Sequence, residues 1–280
     1  MNDLFEYEVL TGDNLSDKAL KDLTTITNVL SEFFDVAACS FVKNGLLFAT
    51  ALGKDTNDAY LKAFDCDPLS TFSASVGFSS TVDAETAKHL KSYAIPMVVA
   101  VNFAPEAFDI LNETETILVK LKTPLKTYKT FEQETVYTTP FGEIREESKI
   151  SLNLNKDTFK IVTKTKPTTE QIEDAIFAWK NSKYTIPTSI VVVKDFKTLS
   201  IYQGQANAQC AAEHALNFAC EGSKNAVMYL SDDILTEGIV HAAIQVRIGL
   251  IIYSGGEYNN IKINALADKY EIAILTTGVR

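Results

Sequence analysis

Two short glycine-containing turns are the parts of this chain best suited to hold a negatively charged ligand. Gly204-Gln205 stands between a predicted strand and a predicted helix, and Gly255-Gly256 precedes another predicted helix. Unpaired backbone N–H groups at the start of a helix attract phosphate and carboxylate groups. Tyr202 and Gln203 precede the first turn and weaken this interpretation there, because glycines allow a closer approach of backbone to ligand. For Gly255-Gly256, a simple connection between elements is the alternative.

The histidines and cysteines do not form a metal-binding pattern. His89, His214 and His241 fall on predicted helices, and we interpret them as helix-face residues. Glu213 and His214 are adjacent, and adjacent helical residues do not face each other, so they do not make a metal pair. The cysteines, at positions 39, 66, 210 and 220, include no Cys-x-x-Cys pair. We predict that Cys39 and Cys66 are small buried hydrophobes, with a reactive thiol as the alternative.

Composition indicates a folded globular protein. The chain has 280 residues, 46% of them hydrophobic, and a formal net charge of -10. A chain of this length buries roughly 75% of its unfolded surface. The acidic balance, without a cluster of Lys and Arg, disfavours a nucleic-acid partner. The first residues lack the features of a signal peptide, and no apolar run approaches the ~20 residues that span a bilayer. We therefore expect a cytoplasmic protein with no membrane partner.

Helices and strands alternate on both sides of a different central segment. Apolar residues spaced three and four apart predict helices at 17–34 and 56–64, and Asp83 is a good N-cap for a third. Further helices are predicted at 105–111, 168–183, 205–220, 237–246 and 259–270, and strands at 36–42, 96–102, 188–194, 199–202, 224–230, 249–253 and 271–276. Residues 122–165 have short alternating segments with Pro and Gly breaks, which indicates a connecting β arm. The pattern predicts α/β layers with largely parallel strands, in subdomains at 1–121 and 166–280.

The segment from Ile172 to Gln205 resembles a known family. It contains Phe-Ala-Trp-Lys on a helix, the strand Ile-Val-Val-Val-Lys-Asp, and a turn that ends in Gly-Gln. These residues are similar to the core of the formyltransferase domain that makes formyl-AICAR in purine biosynthesis, where AICAR is phosphoribosylaminoimidazolecarboxamide. Further ordered blocks, at 36–43, 67–72, 82–87, 226–232, 254–256 and 265–280, also resemble that family. The similarity covers most of the chain and is weakest in the arm.

The resemblance implies a fold, an assembly and a reaction. The expected fold is two cytidine-deaminase-like three-layer α/β/α subdomains joined by the extended arm. The expected assembly is a homodimer, because the family builds its sites between subunits. The reaction would be formyl transfer from 10-formyltetrahydrofolate to AICAR. The cyclohydrolase domain that usually precedes the formyltransferase is absent from this sequence, so ring closure to IMP is not expected of this chain.

Several catalytic positions implied by the resemblance carry other residues here. Lys43 matches the family lysine, but Asn44 stands where the family has His, and Thr188 stands where it has Asn. Ile186 replaces a second lysine, and Glu237 is a weak candidate for a missing Asp, with a helix-capping or solvated role as the alternative. Losing a general base costs about 10²–10⁴ in rate. Losing one oxyanion donor costs roughly 10²–10³.

The remaining positions implied by the resemblance would bind the nucleotide or the folate. They are Ser70, Phe72, Gly204, Gln205, Ser231, Asp232, Gly255 and Gly256. For Asn44-Gly45 a strand-ending turn is the alternative interpretation. We expect the strand ends at Lys43 and Thr188, the Gly204-Gln205 turn and the Ser231-Asp232 loop to converge on one cleft.

Two functional hypotheses follow. The first is a non-catalytic relative that binds a purine nucleotide such as AICAR, or a partner protein. The second is an active formyltransferase that acts on AICAR or a related amine with altered catalytic residues, using the retained Lys43 and Glu237. The combined losses at Asn44 and Thr188 favour the first.

Overall fold

A computed structural model describes residues 5–12, 14–129, 134–147, 158–255 and 261–278. Across these ranges no helix is both long enough and apolar enough to cross a membrane.

The N-terminal part of the chain forms the first of two repeats. The elements of this first repeat are β1 (Tyr7–Thr11), α1 (Asp17–Ser31), β2 (Ala37–Lys43), β3 (Leu46–Gly53), α2 (Thr56–Phe64), β4 (Ser75–Val82), α3 (Ala84–Lys91), β5 (Met97–Phe103), α4 (Pro105–Asn112) and β6 (Ile117–Leu121). The predicted helices and strands of this part are confirmed within a few residues. The strands β1, β3, β4 and β6 were not predicted from the sequence.

The central segment contains a short helix and a separate hairpin. The helix α5 spans Leu125–Lys129. The strands β7 (Glu134–Thr139) and β8 (Gly142–Glu147) pair only with each other in the described structure and form a two-stranded sheet. The strand β9 (Lys160–Ile161) lies within the predicted arm but joins the main sheet beside the last strand of the chain.

The second repeat begins with β9 and has the same order of elements as the first. It continues with α6 (Thr169–Ser182), β10 (Ile190–Lys194), β11 (Lys197–Tyr202), α7 (Ala208–Ala219), β12 (Val227–Leu230), α8 (Glu237–Gln245), β13 (Leu250–Tyr253), α9 (Ile261–Lys269) and β14 (Ala273–Thr276). A short 3-10 turn, Cys220–Ser223, follows α7. The predicted elements of this part are also confirmed, although α7 begins three residues later than the predicted 205.

Both repeats share one 12-stranded sheet. Its strand order is β1-β6-β5-β4-β2-β3-β11-β10-β12-β13-β14-β9. Each repeat has an antiparallel hairpin at the centre, two parallel pairings outside it, and its own first strand at the edge. The order is therefore mirrored about the junction of β3 and β11, which indicates an internal duplication. The cytidine-deaminase-like label and the subdomain boundaries remain predictions.

The prediction of largely parallel strands was wrong. Among the pairings of the described main sheet, four are parallel and seven are antiparallel. The alternation of helices and strands predicts parallel crossovers, but it hides two tight hairpins, β2–β3 and β10–β11. Each of these four hairpin strands pairs antiparallel with both of its neighbours in the sheet.

Helices cover both faces of the sheet. Residues of α1 and α6 share one hydrophobic core that crosses the junction of the repeats. On the other face, α2, α3 and α4 pack in one core and α7, α8 and α9 in another. Successive residues of β2 alternate between the faces, with Ala38 and Val42 in the shared core and Cys39 and Phe41 in the opposite one.

Side chains cap the N-terminal ends of several helices. Asp83 caps α3, as predicted, and accepts a hydrogen bond of 2.8 Å from the backbone N–H of Thr86. Thr168 and Gln171 form a capping box at the start of α6. Asn207 accepts from the first free N–H groups of α7. These caps satisfy donors that the helices themselves leave unpaired.

A buried aspartate holds the hairpin turn of each repeat. In the first, Asp22 of α1 accepts from the backbone N–H of Gly45 at 2.6 Å. In the second, Asp174 of α6 accepts from the N–H groups of Asp195 and Phe196 at 3.0 and 2.8 Å. Burial raises the pKa of the Asp174 carboxyl. The duplication therefore extends from the strand order to individual hydrogen bonds.

A buried ion pair joins the helices of the two repeats. Lys183, which caps the C-terminal end of α6, places its Nζ 2.8 Å from Oε1 of Glu32 at the end of α1. The Lys183 ammonium also lies 4.1 Å from the centre of the Trp179 ring. Lys180 Nζ donates to the backbone carbonyl of Glu32 at 3.0 Å. The helix α6, which carries Phe-Ala-Trp-Lys, therefore binds the end of α1 and helps to hold the two repeats together.

Candidate functional site

The junction where β3 lies beside β11 is called the seam between the repeats. The two strands pair at one end of the seam and separate toward the other end. At one end Ala51 lies opposite Lys197, and Leu52 N–H donates to Phe196 O at 2.9 Å. One step further, the Thr198 hydroxyl takes the place of a backbone partner and bonds the N–H and carbonyl of Thr50. Both strands also have a register shift nearby, so their backbones diverge.

A pocket of about 310 Å³ lies where the seam opens. Four of the residues predicted from the sequence line it: Lys43, Asn44, Ser70 and Gln205. The rest of its lining comes from the start of β3 and the end of β11, namely Leu46, Leu47, Phe48, Ile201, Tyr202 and Gln203. The wall is thus mainly apolar and the rim polar, as in many small-molecule sites.

The ammonium group of Lys43 is directed at a neighbouring loop. Lys43 ends β2, and its Nζ donates to Phe72 O at 2.8 Å and to Ser70 O at 3.5 Å. Asp67 holds the same loop by accepting from the N–H of Ser70 at 2.9 Å. The lysine therefore positions the loop that carries Ser70 and Phe72. Ser70 lines the pocket, whereas Phe72 is not among the lining residues and is exposed.

Asn44 and Gly45 form the turn of the β2–β3 hairpin. Asn44 has φ 56° and Gly45 has φ 78°, a pair of left-handed residues that is typical of tight hairpin turns. The Asn44 side chain is exposed at the pocket rim. Its amide offers a donor and an acceptor, but it does not take up a proton near neutral pH.

The Gly204-Gln205 turn is bonded to the segment before β10. Gly204 N–H donates to Ile186 O at 2.7 Å, and Gln205 N–H donates to Thr188 O at 3.1 Å. These two N–H groups therefore already have protein partners. The Gln205 side chain, rather than its N–H, lines the pocket.

Thr188 lies between the Gly204-Gln205 turn and the segments that follow β12 and β13. Its hydroxyl lies 3.5 Å from Oδ2 of Asp232, a long contact for a hydrogen bond. Ser231 accepts from Ser189 N–H at 2.7 Å, and Ser254 donates to the Asp232 carbonyl at 3.3 Å. Residues predicted around Thr188 and Ser231-Asp232 thus form one hydrogen-bonded group.

Gly255 follows β13 next to this group. It has φ 78°, and a Cβ there would lie 2.9 Å from Thr276 Cβ, so a larger residue does not fit. Gly256 lies outside the described residues. Glu237 is exposed in the first turn of α8, where negative charge is favoured by the helix end. The ligand and catalytic roles of all these residues remain predictions.

The residues that line this pocket include no histidine and no cysteine. His89 stacks on Tyr60, and His214 stacks on Tyr202 with ring centres 5.7 Å apart. The described residues contain no group of three or more His, Cys, Asp or Glu side chains that could hold a metal ion. Cys39 and Cys66 are buried, as predicted, and burial raises the pKa of Cys39 and raises that of Cys66 to about 12.

Gln203 is the pocket residue whose importance the sequence analysis missed. Its side-chain amide bonds both Leu47 of β3 and Ile186 before β10. From the sequence, Gln203 was interpreted only as a non-glycine residue that weakens an anion site at the following turn. The available signal was a long polar side chain at the end of a strand, directly before a glycine.

Fold and pocket together define a duplicated α/β protein with a small-molecule-sized cavity at the junction of its repeats. Comparison with known proteins adds the family. Residues 1–217 match the model of the AICARFT/IMPCHase bienzyme family, and the chain belongs to that family.

Relatives align with nearly the whole chain. A bifunctional purine biosynthesis protein PurH from Thermoanaerobacter sp. (strain X514) is 32% identical over 275 residues, covering 98% of this chain and 53% of the relative. The protein of the same name from Caldicellulosiruptor saccharolyticus is 33% identical, covering 98% of this chain and 52% of the relative. The chain thus spans about half the length of the curated relatives it matches.

Proposed function

We propose that this chain is a divergent relative of AICAR formyltransferase that binds a purine nucleotide or a partner protein without transferring a formyl group. The observation that carries the proposal is the position of Asn44, which lies at the pocket rim next to Lys43. The Asn44 amide does not take up a proton near neutral pH, so it cannot act as the general base. Formyl transfer to a weakly nucleophilic amine needs a base, oxyanion donors and a place for the phosphate.

The surroundings of Lys43 and Thr188 support the same conclusion. Lys43 donates to two backbone carbonyls of the Ser70–Phe72 loop, so its charge is partly engaged. Thr188 offers a hydroxyl in place of an amide, and that hydroxyl faces Asp232. A missing base and a missing donor together lower turnover by on the order of 10⁴ or more.

Ligand binding remains compatible with this geometry. The pocket has a volume of about 310 Å³, within the range of small-molecule sites, and Lys43 can still attract an anionic group. We also propose the cytidine-deaminase-like subdomains, with boundaries at 1–121, 122–165 and 166–280, a homodimer, and a cytoplasmic location. The family membership and the two-repeat sheet support these assignments.

The second candidate is an active formyltransferase that uses 10-formyltetrahydrofolate with altered catalytic residues. The position of Lys43 in the pocket favours it, since this lysine is the retained family residue. Glu237 would then have to serve as the acidic group, from its exposed position in α8.

Turnover and binding measurements separate the two candidates. We expect transfer to AICAR at least about 10³-fold slower than in a family member that keeps the Lys-His and Lys-Ser-Asn motifs. Isothermal titration with AICAR and IMP should still show binding. Lys43→Ala, purified in parallel, controls for contaminating enzyme. Ordinary turnover by the parent chain that Lys43→Ala abolishes would establish the active candidate instead.

Restoring the family residues gives a second test. Asn44→His should fold, because His is among the non-glycine residues that adopt positive φ most readily. Combined with Thr188→Asn, it should raise any residual transfer, while Asn44→Gln should not. A double variant no faster than the parent would show that the loss lies elsewhere in the site.

A further inference from the structure

The side-chain amide of Gln203 joins the two repeats at the pocket. Its Nε2 donates to the Leu47 carbonyl on β3 at 2.7 Å. Its Oε1 accepts from the N–H of Ile186, ahead of β10, at 2.9 Å. A carbonyl of the first repeat and an N–H of the second are therefore bonded to the same planar group, and this pair of bonds is called the Gln203 bridge.

Side chains hold the seam on both sides of the pocket. Where the strands still pair, the Thr198 hydroxyl bonds the N–H and the carbonyl of Thr50 at 2.9 and 3.1 Å. Where they have separated, the Gln203 bridge reaches Leu47. The lining residue Ile201 comes between Thr198 and Gln203 along the chain, so the pocket lies between the two attachments. The width of the pocket at its open end therefore depends on the Gln203 bridge.

Both ends of the bridge are tied to residues of the candidate site. Leu47 is fully buried on β3, one residue beyond the position that pairs with Lys43. Ile186 begins the segment whose Thr188 carbonyl accepts from the N–H of Gln205 at 3.1 Å. Lys43 and Gln205 both line the pocket. The bridge thus sets the separation between Lys43 on one edge and Gln205 on the other.

We propose that Gln203 is a positioning residue for ligand binding, because its amide holds the two edges of the pocket at the separation that a nucleotide needs. Without the bridge the edges can move apart, and only a fraction of the molecules keeps the width that binds. The apparent affinity for the ligand then falls in proportion to that fraction. This inference rests on the proposed function, since a nucleotide is the ligand whose affinity it concerns.

The bridge requires a donor for the Leu47 carbonyl and an acceptor for the Ile186 N–H. A neutral amide supplies both, whereas Met in Gln203→Met keeps the length of the side chain and supplies neither hydrogen bond. Glu in Gln203→Glu supplies both while its carboxyl is protonated, and loses the donor when it ionises. Because the Leu47 carbonyl binds only the protonated form, the pKa of that carboxyl should lie above the ordinary value of about 4.3. The bridge in Gln203→Glu should therefore form at acid pH and break as the pH rises through that pKa.

NMR on the free protein tests the bridge without a ligand. In Gln203→Met, the N–H of Ile186 should exchange with solvent faster than in the parent. In Gln203→Glu, the Ile186 amide resonance should move toward its parent position as the pH falls. The matched control is Gln205→Glu, which adds the same charge to the pocket lining but leaves the bridge in place. Parent-like exchange in Gln203→Met, or an Ile186 resonance that titrates equally in both Glu variants, would overturn the proposal.

Isothermal titration with AICAR tests the consequence for binding. Two neutral hydrogen bonds together contribute roughly five- to a hundredfold to an equilibrium. We expect Gln203→Met to bind AICAR at least about fivefold more weakly than the parent. Gln203→Glu should bind weakly near neutral pH and recover at acid pH, relative to the parent at the same pH. This recovery should exceed that of Gln205→Glu, which measures simple repulsion between the added charge and the nucleotide.

The outcomes separate this inference from the proposed function. AICAR binding by the parent with equal affinity in Gln203→Met would overturn the positioning role and leave the proposed function standing. No AICAR or IMP binding by the parent would overturn the proposed function and the ligand assignment together, whereas the Ile186 exchange would still show whether the bridge holds the pocket edges. If Gln203→Met does not fold by circular dichroism, the pH dependence of Gln203→Glu decides the same question.

Discussion

Replacing Lys183 with Met should strongly destabilise the contact between the two repeats. Lys183 Nζ lies 2.8 Å from Glu32 Oε1, and the two side chains are only 3% and 1% exposed. Tyr184 donates its hydroxyl to the same carboxylate oxygen at 3.2 Å. Met keeps the length of the side chain but removes its charge and its donors, so the buried Glu32 carboxylate loses its ion-pair partner.

Removing one partner of a buried ion pair typically costs about 3–5 kcal/mol, because a charge stays buried with less compensation. A native protein has only about 5–15 kcal/mol of stability in total. Lys183→Met should therefore lose a large fraction of it. The double variant Glu32→Leu/Lys183→Met removes both charges of this buried pair and should be more stable than the sum of the single changes predicts.

Urea unfolding followed by circular dichroism measures these differences. The matched control is Lys91→Met, because Lys91 pairs with Glu113 at the surface, where the side chains are 44% and 68% exposed. The control should leave the unfolding midpoint nearly unchanged. A parent-like midpoint for Lys183→Met, or a double variant that loses the full sum of the single effects, would refute the argument.

Three further predictions follow from the repeats and the pocket. Asp22→Ala and Asp174→Ala should each cost about 1–3 kcal/mol and speed hydrogen exchange at the hairpin turns they hold, whereas unchanged exchange would contradict their shared role. Burial and the nearby Glu32 charge raise the pKa of Tyr184, so the folded state keeps a proton that the unfolded chain releases above about pH 10. Stability should therefore fall as pH rises through that range, and fall less in Tyr184→Phe; equal slopes in urea unfolding would oppose this. Lys43→Ala should weaken nucleotide binding in isothermal titration more than a surface change such as Lys62→Ala does, and equal affinities would count against a phosphate contact.

Local signals explain why most helices could be predicted from the sequence. Asp83 caps α3, and Thr168 with Gln171 caps α6, in both cases within one helical turn. The apolar spacing of α1 and α2 is equally local. Such features depend on residues three or four positions apart, so they can be recognised from the local sequence alone.

The pairing of strands depended on contacts that a linear reading does not show. Asn44-Gly45 has the composition of a hairpin turn, but the matching turn of the second repeat is Asp195-Phe196, which has no glycine. Asp174, on the preceding helix, supports that turn with two hydrogen bonds. The antiparallel centre of the sheet was missed for this reason.

The site was predictable where it follows the family motifs and not where it joins the repeats. Lys43, Asn44, Ser70 and Gln205 do meet in one pocket. Gln203 bonds Leu47 across 156 positions of sequence, and no local pattern reports such a contact. The pocket itself forms because β3 and β11, two strands that are distant in sequence, separate at the seam between the repeats.

The most direct measurement is the rate of formyl transfer to AICAR by the purified chain, taken together with nucleotide titration of the same sample. With Asn44 and Thr188 at the two catalytic positions, we expect binding accompanied by turnover at least about 10³-fold below that of a family member with both motifs intact. Turnover within tenfold of that relative, lost on Lys43→Ala, would contradict the proposal and show that other residues supply the missing base.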